Sequence, residues 1–255
     1  LIEFADPEVA MGVLKLDVFT NMKKHVGRFF KHPKLQQLME FPVLFLGALA
    51  QKIPALYSLM NYADIKLGTW YPQGGMYEIV KAMHKNAVDQ GVKFFFEHEV
   101  TRIDVKNKRA NRVLTKGYQN APEIEFEADV VVGSADYHHV ENALLKPNER
   151  SYDEKYWNSR QMAPSCLLYY IGLNKKLEGV KHHSLFFDVD FDAHGKEIYE
   201  EAKWPAEPLF YMSIPSVTDS SVAPPGCENL FFLVPVAAGL EGDTELLRKE
   251  YFDII

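Results

Sequence analysis

Two short, strongly apolar runs restrict the fold of this chain more than any other feature. Residues 92–96 read Val-Lys-Phe-Phe-Phe and residues 129–133 read Asp-Val-Val-Val-Gly. Runs of this length without strict alternation are typical of strands that are buried on both faces of a sheet. The second run is followed at 134–136 by Ser-Ala-Asp, which is suited to capping a helix. The two runs therefore predict an α/β arrangement in which buried strands lead into helices.

The remaining pattern predicts a mixture of helices and strands. Residues 1–67 are predicted to be mainly helical, and residues 74–91 to form a second helix with apolar side chains at helical spacing. Alternation predicts a strand at 99–105 and a hairpin that pairs 111–115 with 123–126. Pro147 and Pro164 enclose a charged helical piece. Further strands are expected at 166–173, 184–189, 209–214 and 229–236, with a short helix near 194–203 and another at the end of the chain.

The composition excludes several classes of protein. With 47% hydrophobic residues, the 255-residue chain can build a sizeable core. The net charge of −7, without a basic block, argues against nucleic acid as a partner. Two cysteines, Cys166 and Cys227, exclude a disulfide framework and a four-thiolate metal site. We expect both to be small packing residues in a reducing cytosol, although one buried disulfide stays open.

Both ends of the chain suggest a segment of a longer protein. The first residues lack an initiator Met and the features of a signal peptide, and the last ten read as a helix without a cap. An ordinary processed protein is the alternative. The longest apolar stretch, 41–50, is shorter than the roughly 20 residues that a bilayer-spanning helix needs. It is expected to line a pocket, to lie on a membrane surface or to form a buried helix.

Three motifs carry information about a ligand site. Gly74 and Gly75 enter a predicted helix, where a backbone without side chains allows close approach of a ligand. The strand and turn at 129–136 are a common ligand-facing unit of α/β folds. The stretch 214–226 combines Asp and Ser side chains with Pro-Pro-Gly, which predicts a structured loop. Each motif alone is also compatible with a plain turn, βα unit or loop.

In this order and spacing the motifs resemble the bacterial-type phytoene desaturase family of carotenoid enzymes, within the amine-oxidase-like flavoproteins. The resemblance covers nearly the whole chain. It is carried by Pro-Val-Leu-Phe-Leu-Gly at 42–47, Pro-Ala-Leu-Tyr at 54–57, Tyr-Pro-Gln-Gly-Gly-Met at 71–76, Tyr-Ile-Gly-Leu at 170–173, His-His-Ser at 182–184, Thr-Asp-Ser at 218–220 and Ala-Pro-Pro-Gly at 223–226.

This resemblance implies an FAD-dependent oxidoreductase that introduces double bonds into an apolar polyene by hydride transfer to flavin. The fold class is then α/β (mixed α+β), the interior part of a two-domain FAD-binding flavoprotein. We expect a helical, substrate- or membrane-facing region at 1–73, part of the FAD-binding domain at 74–146, and a mixed β-sheet substrate domain at 147–255. The protein is expected to be cytoplasmic and peripheral to the inner face of the membrane.

The resemblance also assigns cofactor positions. Val100 corresponds to the strand that reaches the FAD adenine, Ala135 lies in the turn beside the cofactor, and Gly74 and Gly75 lie where the chain passes the isoalloxazine and substrate. The phosphate-binding motif G-x-G-x-x-G is absent from the sequence. We therefore expect FAD to require the full-length enzyme and not to be retained by this segment.

The candidates for lining an apolar substrate tunnel are Phe41, Phe45, Leu56, Tyr57 and Tyr71, and simple core packing is equally compatible with each of them. The sequence identifies no catalytic base. A metal site near His182, His183 and the acids up to His194 is not favoured, because a calcium loop would need other residues at its sixth and twelfth positions. We expect an exposed strand and loop there instead.

Two other functions stay open. The first alternative to a desaturase is a related flavoprotein, such as a carotenoid isomerase, a ketolase or an amine oxidase. The second alternative is a non-catalytic lipid-binding module.

Overall fold

The computed structural model describes residues 7, 11, 12, 17, 19–119, 121–160 and 162–255, apart from the side chains of Leu44 and Phe45. These residues form two compact units. Unit 1 comprises residues 1–82 and 162–255, and unit 2 comprises residues 83–161. The predicted domain boundaries at 73/74 and 146/147 stay a prediction.

The first part of the chain is helical, as predicted. It contains α1 (Met22–Phe29), α2 (Pro33–Glu40), α3 (Leu59–Tyr62) and α4 (Tyr77–Asp89), with 3₁₀ turns at Phe41–Leu46 and Ala55–Ser58 and a π-helical turn at Ala63–Leu67. Asn21 caps α1 through its side chain, and Pro33 occupies the first turn of α2. The apolar stretch does not form one long helix, because the 3₁₀ turn Phe41–Leu46 ends at Gly47, which has a φ of 75°. None of the described helices is long and apolar enough to cross a membrane.

Unit 2 is built on a three-stranded antiparallel sheet in the order β1-β2-β3. Its strands are β1 (His98–Lys106), β2 (Arg109–Gly117) and β3 (Ile124–Glu127), followed by the short helices α5 (Tyr137–His139) and α6 (Glu154–Asn158). Asn107 and Lys108 join β1 to β2 with positive φ angles of 51° and 62°, which suit a tight two-residue hairpin. The predicted hairpin of 111–115 with 123–126 is confirmed by the antiparallel pairing of β2 with β3, in which Val113 lies opposite Phe126 and Thr115 opposite Ile124.

A four-stranded antiparallel sheet in the order β4-β7-β6-β5 forms the centre of unit 1. It consists of β4 (Ser165–Leu173), β5 (His183–Phe186), β6 (Phe210–Ser213) and β7 (Glu228–Val236). The helices α7 (Phe191–Tyr199) and α8 (Glu245–Ile254) complete this unit.

Burial in this sheet follows the two-residue period of its strands. In β7 the even-numbered residues from 228 to 236 are buried and the odd-numbered ones are half-buried. Val234 and Val236 pack against Tyr251 of α8 and against Trp204, which closes one face of the sheet. The other face is only partly covered among the described residues of unit 1, since the odd-numbered residues of β7 are half-buried and Cys166, Leu168 and Tyr170 of β4 are exposed.

The two apolar runs at 92–96 and 129–133 are not strands, so their predicted assignment is wrong. Both segments pair with no described strand, and their apolar side chains are exposed, with Phe96 70% and Val132 85% accessible. A strand is stable only when its backbone N–H and C=O groups are paired with a neighbour. The described residues supply no such neighbour, and an apolar composition without a pairing partner is not sufficient to form a strand.

The expected mixture of helices and strands is nevertheless confirmed, and with it the α/β class. Asp136 caps α5 by accepting a hydrogen bond from the backbone N–H of His139 at 2.9 Å, as the sequence at 134–136 predicted.

Candidate functional site

The uncovered side of the four-stranded sheet carries a continuous set of apolar and aromatic side chains. Strand pairing places Leu185 opposite Tyr211 and Tyr211 opposite Leu233, so the three lie side by side across β5, β6 and β7. The ring of Phe231 lies 5.2 Å from that of Tyr170 and 6.3 Å from that of Tyr211. We call this surface the open face, formed by Cys166, Leu168, Tyr170, Leu185, Tyr211, Phe231, Leu233 and Pro235.

A pocket of about 200 Å³ lies at one end of the open face. Phe41, the first residue of the 3₁₀ turn Phe41–Leu46, forms one wall, and its ring lies 5.7 Å from that of Phe187. Gly47 lets this wall approach the sheet, because a Cβ atom there would lie 2.7 Å from the ring of Pro164. The pocket is lined by Phe41, Pro164, Ser165, Cys166, Leu185, Phe187, Leu209, Phe210, Tyr211, Leu233 and Pro235.

Beside Tyr211 the open face ends in a group of polar side chains, which we call the polar end. The imidazole Nδ1 of His183 lies 2.6 Å from the Tyr211 hydroxyl, and Nδ1 of His182 lies 2.9 Å from the Thr218 hydroxyl. The two imidazoles stack at 4.2 Å, and the ring of Tyr71 meets His182 edge-on at 4.8 Å. Burial, and secondarily the neighbouring His183, lowers the pKa of His182, which favours its neutral form.

The carboxylate of Asp219 connects the loop after β6 to the glycine pair. Its Oδ2 accepts the backbone N–H of Gly74 at 2.6 Å, while its Oδ1 accepts the backbone N–H and the hydroxyl of Ser221 at 2.9 and 2.6 Å. These bonds, led by that of the Ser221 hydroxyl, lower the pKa of Asp219. Asp219 is only 4% exposed, so the bonds replace nearly all of its hydration.

A second set of bonds holds the same loop to β7. The hydroxyl of Ser216 donates to Glu228, and Nζ of Lys176 lies 3.3 Å from the same carboxylate. Asn229 accepts the backbone N–H of Ser216 at 3.2 Å and donates to the carbonyl of Val222 at 3.1 Å. The Ser216 hydroxyl is the main cause that lowers the pKa of Glu228, and Lys176 adds to it. The loop is therefore anchored independently of Asp219.

The predicted cofactor residues fall in both units. Gly74 and Gly75 lie in unit 1, and both have positive φ angles, of 90° and 100°. Val100 lies in β1 of unit 2, opposite Thr115 and beside an irregularity in the pairing, and is 37% exposed. Ala135 lies in the exposed bend before α5. Their assignment to FAD stays a prediction.

The predicted substrate residues are distributed unevenly. Phe41 lines the pocket and Tyr71 lies at the polar end. Leu56 and Tyr57 lie in a 3₁₀ turn, where Leu56 is half-buried and Tyr57 is exposed, and neither lines the pocket of the open face. The side chain of Phe45 lies outside the described residues. A role of these five residues in substrate binding stays a prediction.

The segment between His182 and His194 begins with the expected strand, β5, but a helix forms where part of the expected loop would lie. Asp190 caps α7 through its side chain, Asp192 forms an ion pair with Lys23, and His194 is buried within the helix. The helix predicted near 194–203 therefore begins three residues earlier, at Phe191, and includes Asp192 of the acidic stretch. Among the described residues, no three His, Cys, Asp or Glu side chains are arranged to hold a metal ion.

Cys166 and Cys227 are both free thiols, which removes the alternative of a disulfide between them. Cys166 is exposed on the open face, so packing in a core does not explain it.

Several residues of the site were not predicted from the sequence. Leu185, Leu209, Tyr211 and Leu233 line the pocket, and strand alternation alone would have placed Tyr211 and Leu233 on the same side as their partners. Asp219 was expected only to bond its own loop. Its bond to Gly74 joins residues 145 positions apart, for which one sequence contains no signal.

Comparison with known proteins identifies the family. The model of the family described as "Flavin containing amine oxidoreductase" matches residues 13–224, which is most of the chain. The chain therefore belongs to the flavin-containing amine oxidoreductase family.

Within that family the chain is similar to carotenoid enzymes, so the resemblance seen in the motifs is confirmed. It is 39% identical to carotenoid 3,4-desaturase of Haloarcula japonica, over 92% of this chain and 46% of the relative. It is 30% identical to the zeta-carotene-forming phytoene desaturase of Myxococcus xanthus, over 92% of this chain and 44% of the relative. It is also 30% identical to phytoene desaturase of Neurospora crassa, over 96% of this chain and 42% of the relative. The chain spans less than half the length of these relatives.

A solved structure supports the fold. The crystal structure of an oxidoreductase from Methanosarcina mazei superposes with a TM-score of 0.59 at 15% identity, over 96% of this chain and 54% of that protein. At this identity the likeness concerns the fold alone.

Membership of the family implies FAD as the cofactor, and the described residues fit part of such a site. Gly74 and Gly75 have positive φ angles and no side chains, which suits close approach of a ligand to the backbone. The sequence contains no G-x-G-x-x-G, so these 255 residues do not supply the usual pyrophosphate-binding loop.

The anchoring of the loop to β7 predicts a pH dependence. Since the pKa of Glu228 is lowered in the folded state, its ionised form stabilises the fold above its unfolded pKa of about 4.3, and this contribution disappears as the pH falls through the folded value. We expect Glu228→Gln to lower the urea midpoint of unfolding at pH 7, and the difference from the wild type to narrow below about pH 4. Glu178→Gln, at an exposed glutamate, is the control and should change little. A constant difference between the wild type and Glu228→Gln from pH 7 to pH 3 would contradict this account.

Proposed function

We propose that this chain supplies the substrate-binding part of an FAD-dependent carotenoid desaturase. The observation that carries the proposal is the open face, an apolar and aromatic surface that ends in a small polar group. The relatives named as carotenoid 3,4-desaturase and phytoene desaturases support it.

The chemistry of the open face suits a long polyene. Such a molecule offers no hydrogen-bonding groups along its length, so its binding depends on removing apolar surface from water, at about 0.8 kcal/mol for each buried CH₂. Aromatic rings such as Phe231 and Tyr170 provide flat surfaces against which a conjugated chain packs. An uncovered apolar surface on a soluble domain is itself a mark of a ligand or partner site.

In the proposed reaction, bound FAD would supply the acceptor for a hydride from one carbon of the polyene, and a proton from the adjacent carbon would leave to a base or to solvent as the double bond forms. The residues of this chain would hold the polyene on the open face and exclude water from it. At the polar end, the pairing of His183 with Tyr211 and of His182 with Thr218 satisfies these polar groups beside an apolar ligand. The hydrocarbon therefore does not leave them without partners.

A test of this function uses the full-length protein loaded with FAD and supplied with phytoene or a partly desaturated carotenoid. We expect products with more conjugated double bonds, detected by chromatography and by a shift of absorbance to longer wavelength. Leu233→Ser should raise KM about tenfold or more, because a Leu side chain buried by the ligand contributes about 1.5–3 kcal/mol. Leu246→Ser, at an exposed leucine of α8, is the matched control and should leave KM unchanged.

Other products would contradict the desaturase proposal and identify an alternative. Isomerised or oxygenated polyene would indicate a carotenoid isomerase or a ketolase, and oxidation of an amine would indicate an amine oxidase. Polyene binding without any turnover would indicate a lipid-binding module.

We also propose that the full-length protein lies in the cytoplasm, peripheral to the inner face of the membrane from which it takes its substrate. The support is a group of exposed apolar side chains around the π-helical turn Ala63–Leu67, where Ile65, Leu67 and Trp70 are 73%, 61% and 85% accessible. Trp is favoured at the boundary between headgroups and acyl chains.

Flotation with phospholipid vesicles tests this surface. We expect the full-length protein to float with the vesicles and the double variant Ile65→Ser/Trp70→Ser to remain largely in the dense fraction. Leu246→Ser again serves as a control that exposes a serine in place of an accessible leucine elsewhere. Equal flotation of the double variant and the wild type would exclude this surface as the attachment site.

A further inference from the structure

The glycine pair is part of a turn of a kind whose central peptide can adopt one of two orientations. The backbone N–H of Gly75 donates to the carbonyl of Pro72 at 3.1 Å, so residues 72–75 form a β-turn. Gly74 occupies its third position with a φ of 90°, which a type II turn requires. A type I turn differs mainly by a flip of the peptide that joins Gln73 to Gly74. The N–H of that peptide is the one that Asp219 accepts.

The geometry of Asp219 selects one of these orientations. Oδ1 is occupied by the two donors of Ser221, which leaves Oδ2 aimed at the N–H of Gly74. If the peptide flipped, the carboxylate would lose this donor and would face the carbonyl of Gln73 instead. For an almost completely buried carboxylate, loss of a donor and gain of a repulsive contact are both unfavourable.

The orientation of this turn also affects the polar end of the open face. Tyr71 directly precedes the turn, and its ring packs on His182. A Cβ atom on Gly75 would lie 3.8 Å from the Tyr71 hydroxyl and 3.7 Å from Val222, so turn, aromatic ring and loop are in close contact. The orientation of one peptide is therefore transmitted to the side chains where the open face ends.

We propose that Asp219 is a positioning residue of the site, which fixes the Gln73–Gly74 peptide and thereby the backbone of Gly74 and Gly75 toward cofactor and substrate. This inference rests on the proposed function, since the approach of the glycine pair to the flavin is itself a prediction. Asp219 would act through the turn and not by contact with the reacting atoms.

A purely structural role predicts a different outcome, because the loop has its own anchor. Asn229 and Glu228 hold it to β7 by bonds in which Asp219 takes no part. Removal of the bond between Asp219 and Gly74 should therefore release the turn and leave the loop in place.

Asp219→Asn is the sharpest variant, because it has nearly the same shape. Its amide oxygen can keep the two donors of Ser221, but its NH₂ group then faces the N–H of Gly74, and two donors cannot bond each other. Asp219→Ala, which removes every bond, is the second variant. Asn229→Ala is the matched control, since Asn229 bonds Ser216 and Val222 of the same loop and makes no hydrogen bond to Asp219 or to Gly74.

The experiment uses the full-length, FAD-loaded protein and measures kcat, KM, Tm and the visible absorbance spectrum of the flavin. We expect Asp219→Asn and Asp219→Ala to lower kcat by about 100-fold, as small misplacements of a reacting group do, with KM changed only a few-fold. The flavin spectrum should shift in both variants. Asn229→Ala should lower Tm at least as much as Asp219→Asn does, with kcat and spectrum close to those of the wild type.

Two results would overturn the inference. One is a wild-type kcat and flavin spectrum in Asp219→Asn, and the other is an equal loss of kcat in Asn229→Ala, which would mean that Asp219 only stabilises the loop. Failure of the proposed function is recognised separately, by a wild-type protein that desaturates no polyene. In that case a crystal structure of Asp219→Asn still decides whether Asp219 orients the turn. A flipped Gln73–Gly74 peptide would support the inference, and an unflipped one would contradict it. The flavin spectrum provides a second readout.

Discussion

The hydrogen bond from the backbone N–H of Gly74 to Asp219 joins the two parts of the chain that make up the candidate site. It connects segments 145 residues apart, one after the helical region and one after β6 of the sheet. Both partners depend on it for a physical reason. A buried carboxylate requires donors, and a turn built on glycine has no side chain of its own to hold its orientation. At the polar end, Tyr71 directly precedes this turn and its ring packs on His182.

The four-stranded sheet shows how one alternating pattern produces both a core and a site. Along β7 the even-numbered side chains are buried, with Val234 and Val236 packed against α8, and the odd-numbered Phe231 and Leu233 face the open side. The same regularity in β5 and β6 brings Leu185 and Tyr211 beside them. Because every strand has the two-residue period, closing one face with a helix leaves the other as a continuous apolar surface.

Features that depend on neighbours close in sequence could be predicted, and those that depend on distant partners could not. The hairpin of β2 with β3 and the cap at Asp136 are local, and both were predicted from their own residues. The apolar run at 129–133 meets every local criterion for a strand, but a strand also needs a partner, and the described residues offer none. The bond between Gly74 and Asp219 could not be predicted either, because no local pattern reveals a partner 145 residues away.

The central claim, that the open face binds a polyene beside the glycine turn, is tested most directly by a crystal structure of the full-length protein with FAD and a carotenoid. The account predicts the polyene along Leu185, Tyr211 and Leu233, with one end near the polar end and the Gly74 N–H still bonded to Asp219. A structure in which other parts of the protein cover the open face, and the polyene binds elsewhere, would contradict it.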